Sequence, residues 1–155
     1  MWDSSVGTGS VTHEYVGYLF PMGPFFWVLH NLHVPLWVAQ RLWLGSILLA
    51  AGAGVAYLCR RFSLGGAAGL VAGLMYMLSP YLLQYAGRIS VILMPWAGLP
   101  WMLAFTVLAL RRGGWRYPAL FAIVVCIVGG VNATSILFVG IAPVLWLFYA
   151  VGLSE

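Results

Sequence analysis

The chain has 155 residues, of which 63% are apolar and only 6% charged, with a net charge of +4. A soluble domain carries about a quarter charged residues, and ten charged side chains cannot clothe this much apolar surface in water, so lipid must be the solvent for most of the chain. All seven basic residues are arginines at the ends of apolar runs, where they act as topology signals; no nucleic-acid partner is expected.

Residues 1–16 are polar, rich in Gly, Ser and Thr, and hold Asp3 and Glu14. They read as a loop in water or at the membrane surface. The start has neither a basic cluster nor an apolar h-region, so residues 1–16 are not expected to be a signal peptide. Residues 17–35 are apolar but interrupted by Pro21, Pro24 and Pro35. Their longest unbroken run, 25–34, is too short to span a bilayer and predicts an interfacial or re-entrant helix anchored by Phe25, Phe26 and Trp27.

The spacing of the arginines sets the rest. A spanning helix needs about 20 residues, and the uncharged gaps 42–59, 62–87 and 89–110 each accommodate one, while 117–154 accommodates two short ones. The expected spans are 37–58, 64–84, 91–110, 117–131 and 136–151, the last two joined by a polar turn of Asn132, Ala133, Thr134 and Ser135. The predicted fold class is all-α: a polytopic transmembrane helix bundle of about five spans plus an interfacial helix. It divides into a first loop, 1–35, and a bundle, 36–155. Both ends look cut, so the chain is expected to be a piece of a longer protein.

Arg60 and Arg61 share one connection and Arg111, Arg112 and Arg116 share another two spans later, hence on the same side. The positive-inside rule places this side in the cytoplasm and the opposite side, with residues 1–35, Arg41, Arg88 and Asn132, outside the plasma membrane. Gly65, Gly69 and Gly73, together with the Gly/Ala cluster from Ala50 to Ala56, read as close helix packing. Cys59 and Cys126 read as small hydrophobes, without disulfide or metal spacing.

Seven outer residues are weighed for candidate chemistry. Asp3 is a carboxylate that could serve as general base for a sugar hydroxyl; equally it could be a solvated or helix-capping residue. Glu14 could bind substrate hydroxyls or pair with Asp3, His13 or Arg41; the plain alternative is a surface acid at a helix start. Arg88, between Tyr85 and Pro95–Trp96, could fork a lipid-linked phosphate at headgroup depth, or contact a headgroup or an acid. Arg41 could do the same, or snorkel. Asn132 belongs to a helix break that could line a cavity. His30 and His33, spaced i, i+3, would share a helix face, but no third ligand is set by spacing, so no metal site is assigned.

The run Trp-Asp-Ser-Ser-Val-Gly-Thr-Gly-Ser-Val-Thr-His-Glu at 2–14 and Gly-Tyr-Leu-Phe-Pro-Met-Gly-Pro at 17–24 are followed by Val-Ala-Gln-Arg-Leu-Trp-Leu-Gly at 38–45. Ser-Pro-Tyr at 79–81, Leu-Met-Pro-Trp-Ala-Gly-Leu-Pro-Trp at 93–101 and Gly-Gly-Val-Asn-Ala-Thr at 129–134 complete the pattern. Across nearly the whole chain this resembles the mycobacterial alpha-(1->3)-arabinofuranosyltransferase D family. The resemblance implies a partial GT-C fold with its active site on the outer face. It implies decaprenyl-phosphoryl arabinofuranose as donor and arabinan of cell-wall arabinogalactan or lipoarabinomannan as acceptor. It matches Asp3 to the catalytic acid of the first outer loop and makes Glu14 and Arg88 candidate substrate or phosphate contacts, beside which Arg41, His13 and Asn132 are further binding candidates.

The implied reaction is inverting. Asp3 takes the acceptor hydroxyl proton, the oxygen attacks the anomeric carbon, and polyprenyl phosphate leaves, stabilised by Arg88 or another cation. No cofactor is demanded, though a divalent cation is compatible. Family members are far longer, with a helix before Asp3 and extracytoplasmic carbohydrate-binding modules, so the remainder of the parent chain is an expected partner beside the bilayer, the donor and the polysaccharide acceptor. The rival readings are another GT-C transferase using a different polyprenyl-phosphate sugar, a lipid or solute transporter segment, and a membrane scaffold without catalysis. A transporter usually carries ionisable residues near the bilayer midplane, whereas here every charge lies at a span end or in a loop.

Overall fold

In lipid a backbone without water must satisfy its own hydrogen bonds, and helices do this within one segment. The computed structural model describes residues 2–3, 10–11, 20–86, 92–129 and 133–152, with only the main chain described for 2–3, 10–11 and 133–135. It contains seven helices among these residues: α1 Met22–Asn31, α2 Leu36–Arg61, α3 Ala67–Met77, α4 Pro80–Tyr85, α5 Leu93–Arg112, α6 Arg116–Gly129 and α7 Ala133–Gly152. A small antiparallel pairing of β1 Trp2–Asp3 with β2 Ser10–Val11 sets Asp3 opposite Ser10, within a segment read from sequence as plain loop.

Among the described residues three helical stretches are long and apolar enough to cross a membrane: 36–61, 67–85 and 93–112. Arg116–Gly129 is apolar but shorter, as is the part of α7 from 136 to 152. The chain is thus a membrane helical bundle, and the five expected spans each have a helical counterpart. α1, with ten residues, reaches about 15 Å and cannot span. It tolerates Pro24 because the first helical turn has no intrahelical N–H bond to lose.

Several boundaries differ from the sequence reading for identifiable reasons. The second span is interrupted at Leu78–Ser79. Ser79 is extended (φ −62°, ψ 150°), the conformation that a following proline imposes, and Pro80 opens α4. Ala133, Thr134 and Ser135 belong to the first turn of α7 rather than to the expected turn; Thr and Ser are tolerated there, where orphan backbone donors remain. His33 does not share a helix face with His30. α1 stops at Asn31, and His33 turns the chain in a left-handed conformation (φ 56°), donating its N–H to the His30 carbonyl, before Pro35.

α5 is the centre of the bundle: 72% of its spanning stretch is buried, against 28% in α2 and 17% across α3–α4. It packs on α2, α6 and α7, while α3 lies against α2. The α2–α3 contact uses the small residues noted in the sequence, but only two of the three glycines of that stripe. A Cβ on Gly73 would stand 2.8 Å from the Gly52 carbonyl oxygen, and one on Gly69 3.3 Å from the Leu64 carbonyl oxygen and 3.6 Å from Cys59 Cβ. Gly65 precedes α3 and has open space around it. Cys59 and Cys126 are both free thiols.

α5 contains Pro100, which has no N–H to give the Trp96 carbonyl four residues earlier. The freed carbonyl is satisfied from another helix: Tyr76 donates its hydroxyl to Trp96 O at 2.8 Å, with the two rings stacked at 4.7 Å. A double-mutant cycle tests this pairing. Tyr76→Phe is expected to cost roughly 1 kcal/mol of stability in detergent, as interhelical bonds in membranes do. In a Pro100→Ala background, where the helix supplies its own donor, the same change is expected to cost close to nothing. Equal losses in both backgrounds would disprove the compensation.

At the far end of α2 and α5, Arg111 donates to the Arg61 carbonyl oxygen at 2.7 Å. Trp146 of α7 meets Phe62 at 5.3 Å between ring centroids. The ends carrying Arg60, Arg61, Arg111, Arg112 and Arg116 therefore gather at one end of the bundle, as the alternation of spans requires.

Candidate functional site

The opposite end of the bundle collects the elements that flank the candidate residues. One apolar cluster there joins Trp43 and Ile47 of α2, Leu82 of α4, Leu93 and Trp96 of α5 and Val128 of α6. Met22, Phe25 and Phe26 of α1 and Ile136 of α7 pack against it. Phe25 and Phe26 lie 5.1 and 6.1 Å from the Trp43 ring, which docks the short α1 across the start of α2. The helix ends that border residues 87–91 and 130–132 all contribute to this cluster or sit beside it.

Asp3 has its main chain set by the β1–β2 pairing. His13, Glu14, Arg88 and Asn132 lie outside the described residues. Arg41 is exposed on α2; its guanidinium carbon sits 4.9 Å from the Trp37 ring centroid and its Nη1 is 3.4 Å from the Trp37 carbonyl oxygen. This stacked position fits the snorkelling alternative and leaves part of the planar fork free. Among the described residues no three His, Cys, Asp or Glu side chains are grouped closely enough to hold a metal ion.

The sequence reading passed over an aromatic wall at this end. Tyr81 lies 4.8 Å from Tyr85 and 6.3 Å from Trp96, itself stacked on Tyr76. Tyr81, Pro95, Trp96, Phe138 and Leu145 line a cavity of about 410 Å³ between α4, α5 and α7. Ser79 Oγ is buried nearby in sequence without a hydrogen-bond partner among the described residues. The signal was present as Ser-Pro-Tyr and Pro-Trp flanking Arg88, but a stripe of rings in an apolar chain cannot be told from ordinary core by spacing.

A second cavity, about 490 Å³, opens between α2, α5 and α6. Trp43, Ile47, Ala97, Gly98, Val124 and Val128 form much of its wall, and among the described residues no charged side chain lines it. Gly98 brings α5 close to α6, since a Cβ there would stand 2.9 Å from Val128 Cγ1. Apart from Ser46 and the Trp43 indole its wall is apolar, the character that suits a hydrocarbon chain.

A family model described as alpha-(1->3)-arabinofuranosyltransferase, N-terminal GT-C domain, matches residues 1–153. The chain is 36% identical over 151 residues to the alpha-(1->3)-arabinofuranosyltransferase of Mycobacterium tuberculosis, which spans 94% of this chain and 11% of that protein. The protein of the same name from Mycolicibacterium smegmatis is 34% identical, spanning 94% of this chain and 10% of its own length. A single-particle cryo-EM structure of a mutant arabinofuranosyltransferase AftD from mycobacteria superposes with a TM-score of 0.81 at 33% identity, over 94% of this chain and 12% of that one. The chain therefore spans about a tenth of the length of the relatives it matches.

Proposed function

The chain belongs to the alpha-(1->3)-arabinofuranosyltransferase family, aligned with its N-terminal GT-C domain, and on that premise we propose that it forms the donor-side portion of a membrane arabinofuranosyltransferase. In this reading the full protein moves arabinofuranose from decaprenyl-phosphoryl arabinose to cell-wall arabinan at the outer face of the plasma membrane. The observation that carries it is the match to named arabinofuranosyltransferases over 94% of the chain. The apolar groove between α2, α5 and α6 supports a polyprenyl donor, because its wall suits an isoprenoid chain. The end of the bundle that gathers α1, α4 and the starts of α5 and α7 is the end to which Asp3, Arg88 and Asn132 were assigned from sequence.

Asp3 acts as general base on the acceptor hydroxyl. Its proton leaves as the oxygen attacks the anomeric carbon, and the polyprenyl phosphate departs with the bonding pair of the cleaved C–O bond. That leaving group is already a phosphate ester anion, so stabilisation by a cation such as Arg88 serves better than strong acid catalysis. Glu14, His13 and Asn132 are assigned to substrate hydroxyls and Arg41 to the phosphate. Residues 1–35 and the Arg88 connection face outward, and the five-arginine end faces the cytoplasm.

The test is a transfer assay on membranes containing the full-length parent protein, given decaprenyl-phosphoryl arabinose or polyprenyl-phosphoryl mannose or glucose. Transfer from the arabinose donor alone is expected; transfer from a hexose donor would assign the chain to a different GT-C specificity. The 155-residue chain by itself is expected to insert in membranes and to transfer nothing, because it corresponds to about a tenth of its relatives.

A further inference from the structure

Three of the seven arginines, Arg61, Arg112 and Arg116, touch rings of one aromatic cluster at the bundle end remote from the candidate site, and Arg60 and Arg111 lie beside Arg61. Phe105, Leu108 and Tyr117 are the buried core of this cluster, and Tyr57 and Trp101 pack against it. Arg61 places its guanidinium carbon 4.3 Å from the Tyr57 ring centroid, and Arg111 lies 5.4 Å from the ring of Phe62. On the other flank Arg112 donates to the Tyr117 hydroxyl at 2.9 Å and Arg116 lies 5.9 Å from the same ring. Arg60 is exposed beside them. Contact with rings fixes Arg61, Arg111, Arg112 and Arg116 without neutralising them, and leaves N–H groups at the edge of the plane for an anion.

No acidic side chain is among the described residues, so no carboxylate is seen to compensate this end; Glu155 lies outside them. The short connections carry apolar side chains next to the cations. Trp115 is 88% exposed and Leu64 57%, which is costly in water and natural at the boundary of headgroups and acyl chains. A soluble anion would satisfy the guanidinium groups and leave Trp115 and Leu64 uncovered. A lipid satisfies both.

We propose that this arginine–aromatic end is a binding site for an anionic phospholipid whose headgroup carries two phosphates, of the cardiolipin type. One phosphate is held by Arg60, Arg61 and Arg111 at the ends of α2 and α5, the other by Arg112 and Arg116 at the α5–α6 turn. Arg61 and the Arg112–Arg116 pair hold two rings of the same cluster, Tyr57 and Tyr117, so a single diphosphate headgroup bridges them, and the acyl chains run up the exposed faces of the same helices. The site is independent of the transfer reaction and of which leaflet the end occupies.

The full 155-residue chain, reconstituted in phosphatidylcholine vesicles containing either cardiolipin or twice the molar amount of phosphatidylglycerol, is re-extracted in mild detergent and its retained lipid quantified by mass spectrometry. The wild type is expected to retain cardiolipin preferentially at equal charge. Arg60→Gln and Arg116→Gln alter exposed side chains, one from each group, and should each lower the enrichment about five-fold, with the double variant lower still. Unchanged helicity by circular dichroism shows that the variants remain folded. Equal retention of the two anionic lipids by the wild type, or full enrichment in the double variant, would overturn the proposal. Displacement of cardiolipin by inorganic phosphate would assign the arginines to a soluble anion and overturn it as well.

Discussion

Asp3→Asn in the full-length parent protein is expected to lower arabinose transfer by about 10²- to 10⁴-fold, the usual contribution of a positioned general base. Asparagine keeps the size and planarity of the side chain but cannot accept the acceptor hydroxyl proton. The main-chain pairing of Trp2–Asp3 with Ser10–Val11 is made by backbone groups and survives the substitution. The loss should therefore fall on turnover rather than on membrane insertion or on the affinity for the polyprenyl donor, and matched expression with a KM-against-kcat comparison separates the two. Asp3→Glu, which keeps the carboxylate but moves it by one methylene, should recover part of the lost rate. Unchanged transfer in Asp3→Asn would remove Asp3 from the mechanism and turn attention to Glu14. A loss confined to KM would make it a substrate contact.

The bundle was legible in the sequence because the bilayer imposes one constraint on every span. Apolar runs between arginines must be about 20 residues long, and the arginines then alternate between the two ends. The contact of Arg111 with the Arg61 carbonyl follows directly from that alternation. Boundaries were less legible because they depend on single backbone choices. Ser79 yields to Pro80 and breaks the second span, His33 takes a left-handed turn after α1, and Ala133–Ser135 join α7. The aromatic wall of Tyr76, Tyr81, Tyr85 and Trp96 was illegible for a different reason. Its rings come from three helices whose mutual rotation is decided by packing, and an apolar chain carries no polar face from which that rotation can be read. The hydrogen bond from Tyr76 to the carbonyl freed by Pro100 spans 20 residues and two helices. The proline signals that a carbonyl needs a donor, but not which side chain provides it. For the site itself, residue type and position nominate Asp3, Glu14 and Arg88, and the resemblance ranks them.

Gly73→Leu should be the most disruptive substitution in the bundle, and Gly65→Leu, eight residues earlier and ahead of α3, should be silent. A side chain at Gly73 meets the backbone of α2: the Gly52 carbonyl oxygen at 2.8 Å, its carbon at 3.5 Å and its Cα at 3.6 Å. Backbone atoms of a packed helix cannot move aside as a rotamer can, so α3 must separate from α2. Overpacking of this kind costs about 1–3 kcal/mol, and losing the close approach removes the dispersion contacts that hold helices together in lipid. Gly65 meets nothing within 4 Å and takes the same leucine into lipid or headgroups. Thermal unfolding in detergent distinguishes them: a lower Tm for Gly73→Leu with an unchanged Gly65→Leu supports the packing geometry, and equal behaviour refutes it. The effect should also reach the opposite end of α3. Tyr76 follows Gly73 by three residues on nearly the same face, so displacement of α3 draws its hydroxyl away from the Trp96 carbonyl at 2.8 Å. The losses from Gly73→Leu and Tyr76→Phe should then be less than additive, because the first has already broken the bond that the second removes.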